Sequence, residues 1–316
     1  MDDNVLVSVI IPVYNSAKYL ADPFESLVAQ TYGTFEVIIV NDGSTDASDL
    51  IIQEFITKHP EIQVTYLNNS QNRGQSYAYN LGIKNAKGYC IGFLDADDRY
   101  EPTFLQEMVE EIGDAFDLVY CGFDQVNPLT GQRIKFEENR IYLKESKEII
   151  NAYLGATTHF AHTAALYRTA FLMMENIWYD EDCRYGEDLE FMCRLLLRQP
   201  RCSCVQKSLY LYIRRSDSVT ANSDCENIYQ VVYGIERVVS EIPSSYGKLH
   251  FIFTRNANIV YHVICELYEK QVKKRVSLRR RMRWSFLFVS HMFLRPMSKL
   301  KGKSWRALFY FNQLSW

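Results

Sequence analysis

The sequence predicts an α/β chain built on a doubly wound, mainly parallel, Rossmann-like sheet, followed by a helical, basic C-terminal extension. Three observations carry that expectation. Over roughly the first 120 residues, short apolar runs rich in Val and Ile alternate with segments of helical spacing, the pattern of strand–helix–strand units. The apolar runs are nearly continuous, so they belong to strands buried on both faces, as in a parallel sheet. Each run also ends in polar or acidic residues, at Asn15, Asp42 and Asp95/Asp97, which puts these groups on one edge of the sheet, where ligands bind in open α/β folds.

The elements follow in order. Val5 to Val13 is an almost unbroken β-branched run closing in Pro12-Val13-Tyr14-Asn15, the first strand. Ser16 is placed to cap a helix over 17–30 in which Leu20, Phe24, Leu27 and Val28 share a face. Phe35 to Val40 is the second strand, closed by Asn41-Asp42-Gly43-Ser44-Thr45-Asp46. A helix beginning at Thr45 or Asp46 then puts Leu50, Ile51 and Phe55 on one side. Ile62 to Leu67 is a third strand. Asn72-Arg73-Gly74 opens a helix running through Ala86, with Gly88 as its C-terminal stop. Tyr89 to Leu94 is the fourth strand, Pro102 to Ile112 is helical, and Phe116 to Phe123 is strand-like again.

The fourth strand runs straight into Asp95-Ala96-Asp97-Asp98. A D-x-D pair at a strand end can hold a divalent cation against a diphosphate, because hard cations take carboxylate and phosphate oxygens together. The same residues also read as a solvated turn, with Asp98 capping the helix that begins after Glu101-Pro102. Neither G-x-G-x-x-G nor G-x-x-x-x-G-K-[ST] occurs, which disfavours dinucleotide and P-loop chemistry.

Beyond the alternating region, Asn127 to Tyr142 is turn-rich and charged, a hairpin or mobile loop, and Lys144 to Leu154 is helical. His159 and His162 stand at i,i+3 with no third ligand nearby. A zinc site is therefore disfavoured, and an acceptor-pocket or core role is expected, with Trp178 on the same acceptor side. Tyr185-Gly186-Glu187-Asp188 reads as a tight turn opening a helix that carries Phe191, Leu195 and Leu196. Acids in that first turn suit the helix dipole whatever else they do. Leu209 to Thr220 is a Tyr-rich strand followed by Arg214, Arg215 and a Ser-containing loop. Guanidinium suits phosphate, and only one of two adjacent arginines on a strand faces inward.

The formal net charge of −3 hides an asymmetry: from Lys270 onward there are thirteen Lys/Arg and no Asp or Glu, against a net charge near −16 elsewhere. These cations are interleaved with Trp284, Phe286, Phe288, Trp305, Phe309 and Trp316, the composition of a segment lying on anionic lipid. Packing on the body, or contact between copies in a homo-oligomer, competes with that reading. Nucleic acid does not, since no recognisable module accompanies the charge. No apolar run approaches the ~20 residues of a spanning helix. The start, Met1-Asp2-Asp3-Asn4, lacks signal-peptide character, and eight cysteines without C-x-x-C spacing read as reduced. The expected location is cytoplasmic, peripheral on the inner face of the cell membrane.

Val9-Ile10-Ile11-Pro12-Val13-Tyr14-Asn15, Val40-Asn41-Asp42-Gly43-Ser44-Thr45-Asp46, Asn72-Arg73-Gly74 and Phe93-Leu94-Asp95-Ala96-Asp97-Asp98 together resemble a family 2 inverting glycosyltransferase of the GT-A fold, of the bacterial surface-polysaccharide type. The resemblance implies transfer of a sugar from a nucleoside-diphosphate donor, with UDP the expected nucleotide, to a hydroxyl of a saccharide or polyprenyl-diphosphate-linked acceptor. It implies that Pro12, Tyr14 and Asp42 line the base and ribose pocket, that Asp95 approaches the ribose, and that Asp97 ligates Mn²⁺ or Mg²⁺. It implies Asp188 as general base beside Glu187, and Arg214 or Arg215 at the diphosphate. One stretch departs from the family's pattern: where relatives often read Ala-Arg-Asn-x-Gly, this chain has Ala78-Tyr79-Asn80-Leu81-Gly82, leaving Arg73 to supply donor contacts. The expected division is a nucleotide-sugar half over 1–125, an acceptor and catalytic half over 126–225, and a helical, basic and aromatic region over 226–316. A sugar-1-phosphate nucleotidyltransferase and a non-catalytic nucleotide-sugar-binding scaffold are the competing readings. The first lacks its Gly-rich loop here, and the second does not need the carboxylates.

Overall fold

In the computed structural model, residues 5–134, 145–146, 148–150, 161–215, 234, 237–238 and 241 are described. A nine-stranded sheet organises them. Strands β1 (Val7–Val13), β2 (Phe35–Asn41) and β3 (Gln63–Asn68) are parallel, and β4 (Cys90–Phe93) pairs parallel with β1 on its other side. The chain thus steps outward through β2 and β3, then returns across β1. In open α/β sheets such a reversal, here at the carboxyl ends of β1 and β4, is where ligands bind.

The continuous apolar runs behave as their composition requires. Along β1, Ile10 faces one core cluster while Val7, Val9, Ile11 and Val13 face the other, and in β2 Ile38 and Val40 divide in the same way from Val37 and Ile39. Helices α3 (Gln75–Asn85), α5 (Thr169–Met174) and α6 (Glu187–Leu197) cover the first face. Helices α1 (Ala21–Val28), α2 (Ser48–Lys58) and α4 (Phe104–Ile112) cover the second. Each fully buried Val or Ile on these faces stabilises the fold by about 1.5–3 kcal/mol relative to exposure.

Beyond β4 the sheet becomes mixed. The order is β3-β2-β1-β4-β8-β6-β9-β5, with β5 at Arg99–Tyr100, β6 at Leu118–Val126, β8 at Ala165–Arg168 and β9 at Cys202–Ile213. Strand β8 lies antiparallel to both β4 and β6, while β9 is parallel to β6. The strand expected over 116–123 therefore does not sit beside the fourth one. A four-residue strand too short to register as a periodic run separates them. The turn-rich stretch after β6 does form a hairpin, with β7 (Arg133–Ile134) returning antiparallel, and its continuation to residue 142 lies outside the described residues.

Three local expectations are corrected. Helix α1 begins at Ala21 after turns whose amides at Tyr19 and Leu20 bond to the Ser16 carbonyl, so the Ser16 side chain caps no helix; Val28 is exposed. On α2 the buried positions are Ser48, Ile52 and Phe55, Ile51 packs partly buried beside them, and Leu50 is 61% exposed. Gly88 is not a helix stop. Its N–H donates to Ser8 Oγ at 2.8 Å, and a Cβ there would sit 2.5 Å from the Ser8 nitrogen, so the glycine permits close approach to β1.

Candidate functional site

The loop after β1 and the loop after β2 are fastened to each other. Asn15, at φ 48°, accepts at Oδ1 from the Thr45 amide (2.8 Å) and donates its own amide to Ser44 Oγ (3.0 Å). Asp46 accepts from the Ala17 amide and from Ser48. Burial pushes its carboxyl up, but those hydrogen bonds outweigh it and hold the group below the usual range. Tyr14 projects from this frame with 49% of its surface exposed, while Pro12 is buried opposite Val40. Asp42 is also turned inward. It is 2% exposed and accepts from Asn69 Nδ2, the Arg73 amide and the Gly74 amide at 2.7–2.9 Å. Its carboxylate thereby shapes the Asn72-Arg73-Gly74 turn and leaves Arg73 at the surface, stacked 3.6 Å over Tyr77.

At the end of β4, ligand oxygens of Asp95, Asp97 and Asp98 lie within 4.8 Å of one another. The three have different tasks. Asp98 is buried and accepts from the Tyr210 hydroxyl (2.7 Å) and the Ile213 amide (2.8 Å), so it joins β9 to this loop. The cap expected of it falls instead at Thr103, because α4 starts five residues further on than Asp98 alone implies. Two residues past Ile213, Arg215 bonds the Asp97 carbonyl (2.6 Å) and carboxylate (3.1 Å) and lies 3.2 Å over the Tyr19 ring. Arg214 is exposed, so Arg215 is the arginine turned toward the acids. Asp97 remains 38% exposed. An all-carboxylate set with two partly exposed members, Asp95 and Asp97, suits a hard divalent cation such as Mn²⁺ or Mg²⁺.

Asp95 is held from the other side. Tyr79, fully buried on α3, donates its hydroxyl to Asp95 Oδ1 at 2.5 Å, and Gln75 Nε2 approaches the same oxygen at 3.3 Å. Burial raises the Asp95 carboxyl above its usual range. The Tyr79 hydrogen bond opposes that shift, and the nearby charge of Asp188 adds to it. Phe191 of α6 packs edge-on to Phe93 of β4 at 5.9 Å, so the helix that opens with Glu187 and Asp188 lies against the strand that leads into Asp95, some ninety residues earlier. Gly186, left-handed at φ 78°, makes the turn that the sequence predicts and starts α6 with Glu187 and Asp188. Burial, and then the Asp188 charge, push Glu187 up to about 8, so it retains its proton near neutrality.

His162 is 7% exposed beneath this floor, with Nε2 3.4 Å from the Tyr79 hydroxyl and its ring edge-on to Tyr79. Burial depresses its pKa, against the pull of Asp188. It packs among Tyr79, Phe93 and Tyr179 in the core under the acids. Trp178 stacks with Lys84 in the last turn of α3, the end of that helix away from Gln75, and donates to Asn176. His159 lies outside the described residues. Residue reading missed Tyr79, Tyr19 and Arg184, the last packed against Gly74. Only Tyr79 had a signal, as an aromatic where a cation is expected, and its burial was not predictable from spacing. Among the described residues no helix is long and apolar enough to cross a membrane, and the six described cysteines are free and buried.

Comparison with known proteins gives this geometry its context. The chain is 32% identical over 219 residues to the uncharacterized glycosyltransferase EpsJ of Bacillus subtilis, covering 68% of this chain and 63% of that one. It is 33% identical over 222 residues to the minor teichoic acid biosynthesis protein GgaB of the same organism, covering 68% of this chain and 23% of the relative. The match thus spans less than two thirds of either relative. In three dimensions it resembles S. aureus TarS in complex with UDP-GlcNAc, with a TM-score of 0.69 at 20% identity, over 98% of this chain and 89% of that one. That likeness is one of fold, the GT-A fold. The model of glycosyl transferase family 2 matches residues 8–173, the stretch that holds every strand-end motif and the acids of the β4 loop, and the chain belongs to that family.

Proposed function

We propose that the protein is a metal-dependent, inverting glycosyltransferase that moves a sugar from a UDP-sugar to a hydroxyl of a saccharide acceptor. The observation that carries this reading is the meeting of two separate acids. Asp97 sits with Asp95 on the β4 loop, and Asp188 opens α6, which packs on β4 through Phe191 against Phe93. A displacement at an anomeric carbon needs stabilisation of the leaving diphosphate on one side and a base for the attacking hydroxyl on the other.

Asp97, with Asp95 beside it, would hold Mn²⁺ or Mg²⁺, which when bound supplies positive charge against the diphosphate. Tyr14 offers a half-exposed ring for the base to stack on, and the shaped turn presents Arg73 to the phosphates. Arg215, already at Asp97, adds a second cation to the same edge. The acceptor oxygen bonds to the anomeric carbon as the bond from that carbon to the diphosphate oxygen breaks. The electron pair leaves with UDP, and the hydroxyl proton passes to the Asp188 carboxylate. Glu187, still protonated, adds no second charge beside it.

A lipid-linked acceptor, in synthesis of a cell-surface polysaccharide at the inner membrane face, is supported by the basic, aromatic composition of 270–316. The name of GgaB points to the same kind of process in a relative. The test is thermal shift with UDP, UDP-GlcNAc, UDP-glucose, UDP-galactose and GDP-mannose, each with Mn²⁺, Mg²⁺ or EDTA. A ligand bound only by the native state raises the melting temperature. The proposal expects a metal-dependent rise with UDP and at least one UDP-sugar, lost in Asp97→Asn. No rise with any uridine nucleotide would overturn it.

A further inference from the structure

Glu190, one turn into α6 and 2% exposed, is the terminus of an ion-pair network that begins far along the chain. Arg237 donates from Nε to Glu190 Oε1 (3.0 Å) and from Nη2 to Oε2 (2.6 Å), a two-pronged contact, and its Nε also lies 2.9 Å from Asp180 Oδ2. Arg194 reaches Glu190 Oε1 at 2.8 Å and Glu241 at 3.1 Å. A Cβ at Gly234 would stand 2.9 Å from Glu190 Oε2, so a larger residue there would push on the clamped carboxylate. Val238 is fully buried in the core cluster that holds Phe191, Met192 and Leu195. The residues described at 234, 237, 238 and 241 are helical and engage α6 through its buried side.

The position of the clamp gives it a consequence for chemistry. The Glu190 amide donates to the Gly186 carbonyl at 3.1 Å, closing the turn that displays Glu187 and Asp188. The next residue, Phe191, stacks on Tyr179 at 4.1 Å, Tyr179 stacks on Tyr79 at 4.7 Å, and Tyr79 bonds Asp95. The helix that carries one acid is thus pinned from behind by Arg237 and packed in front against the support of the other.

We propose that Arg237 is a positioning residue. Through Glu190 it fixes the first turn of α6, and with it Asp188, relative to Asp95 and Asp97, so the segment after β9 completes the catalytic unit. This rests on the reading of Asp188 as base. The test measures UDP release by the full chain, with Mn²⁺, from whichever of UDP-GlcNAc, UDP-glucose and UDP-galactose the wild type turns over. Arg237→Ala is expected to lower kcat by about 100-fold, the scale set by small misplacement of a reacting group, with donor KM within about threefold. Arg237→Lys, which keeps the charge but not the fork, recovers about tenfold of the loss. Hydrogen exchange of the amides of 186–191 rises in Arg237→Ala while that of β1 and β2 does not. A lowered melting temperature with wild-type kcat, measured well below melting, makes Arg237 a structural residue only and overturns the proposal. If Arg237→Ala does not fold, Gly234→Ala, which presses on Glu190 Oε2, must lower kcat in the same way or the proposal fails. Asp188→Asn is measured in parallel. Wild-type turnover there defeats the base reading, while the Arg237 result still decides whether the clamp governs turnover.

Discussion

At the scale of single residues, the site separates carboxylates that the sequence lists side by side. Asp97 stays partly exposed and pairs with the buried Arg215, Asp98 is consumed in holding β9, and Asp95 is pinned by a buried tyrosine. Tyr79→Phe removes one hydroxyl and leaves Asp95 without its short partner. We expect a stability loss of about 1–3 kcal/mol and a donor KM raised severalfold, read by denaturant melts and initial rates. Glu187 gives a pH signature. Its carboxyl is pushed up to about 8 from an ordinary 4.5, so between those values the folded state holds a proton that the unfolded chain releases. The stability that this group contributes is present below pH 4.5 and is lost as the pH rises through 8. Glu187→Gln is therefore expected to melt with the wild type at pH 5 and several degrees above it at pH 8, at about 2–4 °C per kcal/mol. A difference that is the same at both pH values would contradict the assignment.

At the scale of elements, close approaches decide where the acids end up. A Cβ at Gly82 would stand 2.3 Å from Ile10 Cγ2, so α3 lies against β1 only because that position is bare. Gly82→Ala is expected to destabilise by about 1–3 kcal/mol through overpacking, and to loosen Tyr79 one turn earlier; calorimetry and donor KM read the two effects. Residue patterning made the first, second and fourth strands legible because their runs are continuous and buried on both faces, while β3, half-exposed at the sheet edge, was legible from its alternation with the helices. It did not show β8, whose four residues reveal nothing until their neighbours are known. Nor did it show that Asp42 faces inward, since an acid after a strand reads alike whether it meets solvent or three backbone and side-chain donors. Gly186 was legible for a physical reason: a glycine before two acids and an apolar helix face is a left-handed turn with few alternatives.

At the scale of the whole molecule, charge is distributed unevenly: the body is acidic, while 270–316 holds thirteen cations and no acid. Removing 270–316 is expected to abolish sedimentation with vesicles containing anionic lipid and to leave UDP-dependent thermal stabilisation intact. Persistent vesicle binding would place the lipid contact elsewhere. Because Arg237 and Val238 pack against α6, removal from residue 234 onward is expected to remove turnover as well. The two halves of the site come from distant parts of the chain and meet only through the fold, so the account stands or falls on their division of labour. The most direct measurement is Asp188→Asn, with UDP affinity determined by calorimetry in Mn²⁺ and UDP release followed in the same preparation. Affinity is expected within about threefold of wild type, with turnover reduced by roughly 10²–10⁴-fold, the usual worth of a positioned base. Turnover near the wild-type rate would contradict that division of labour.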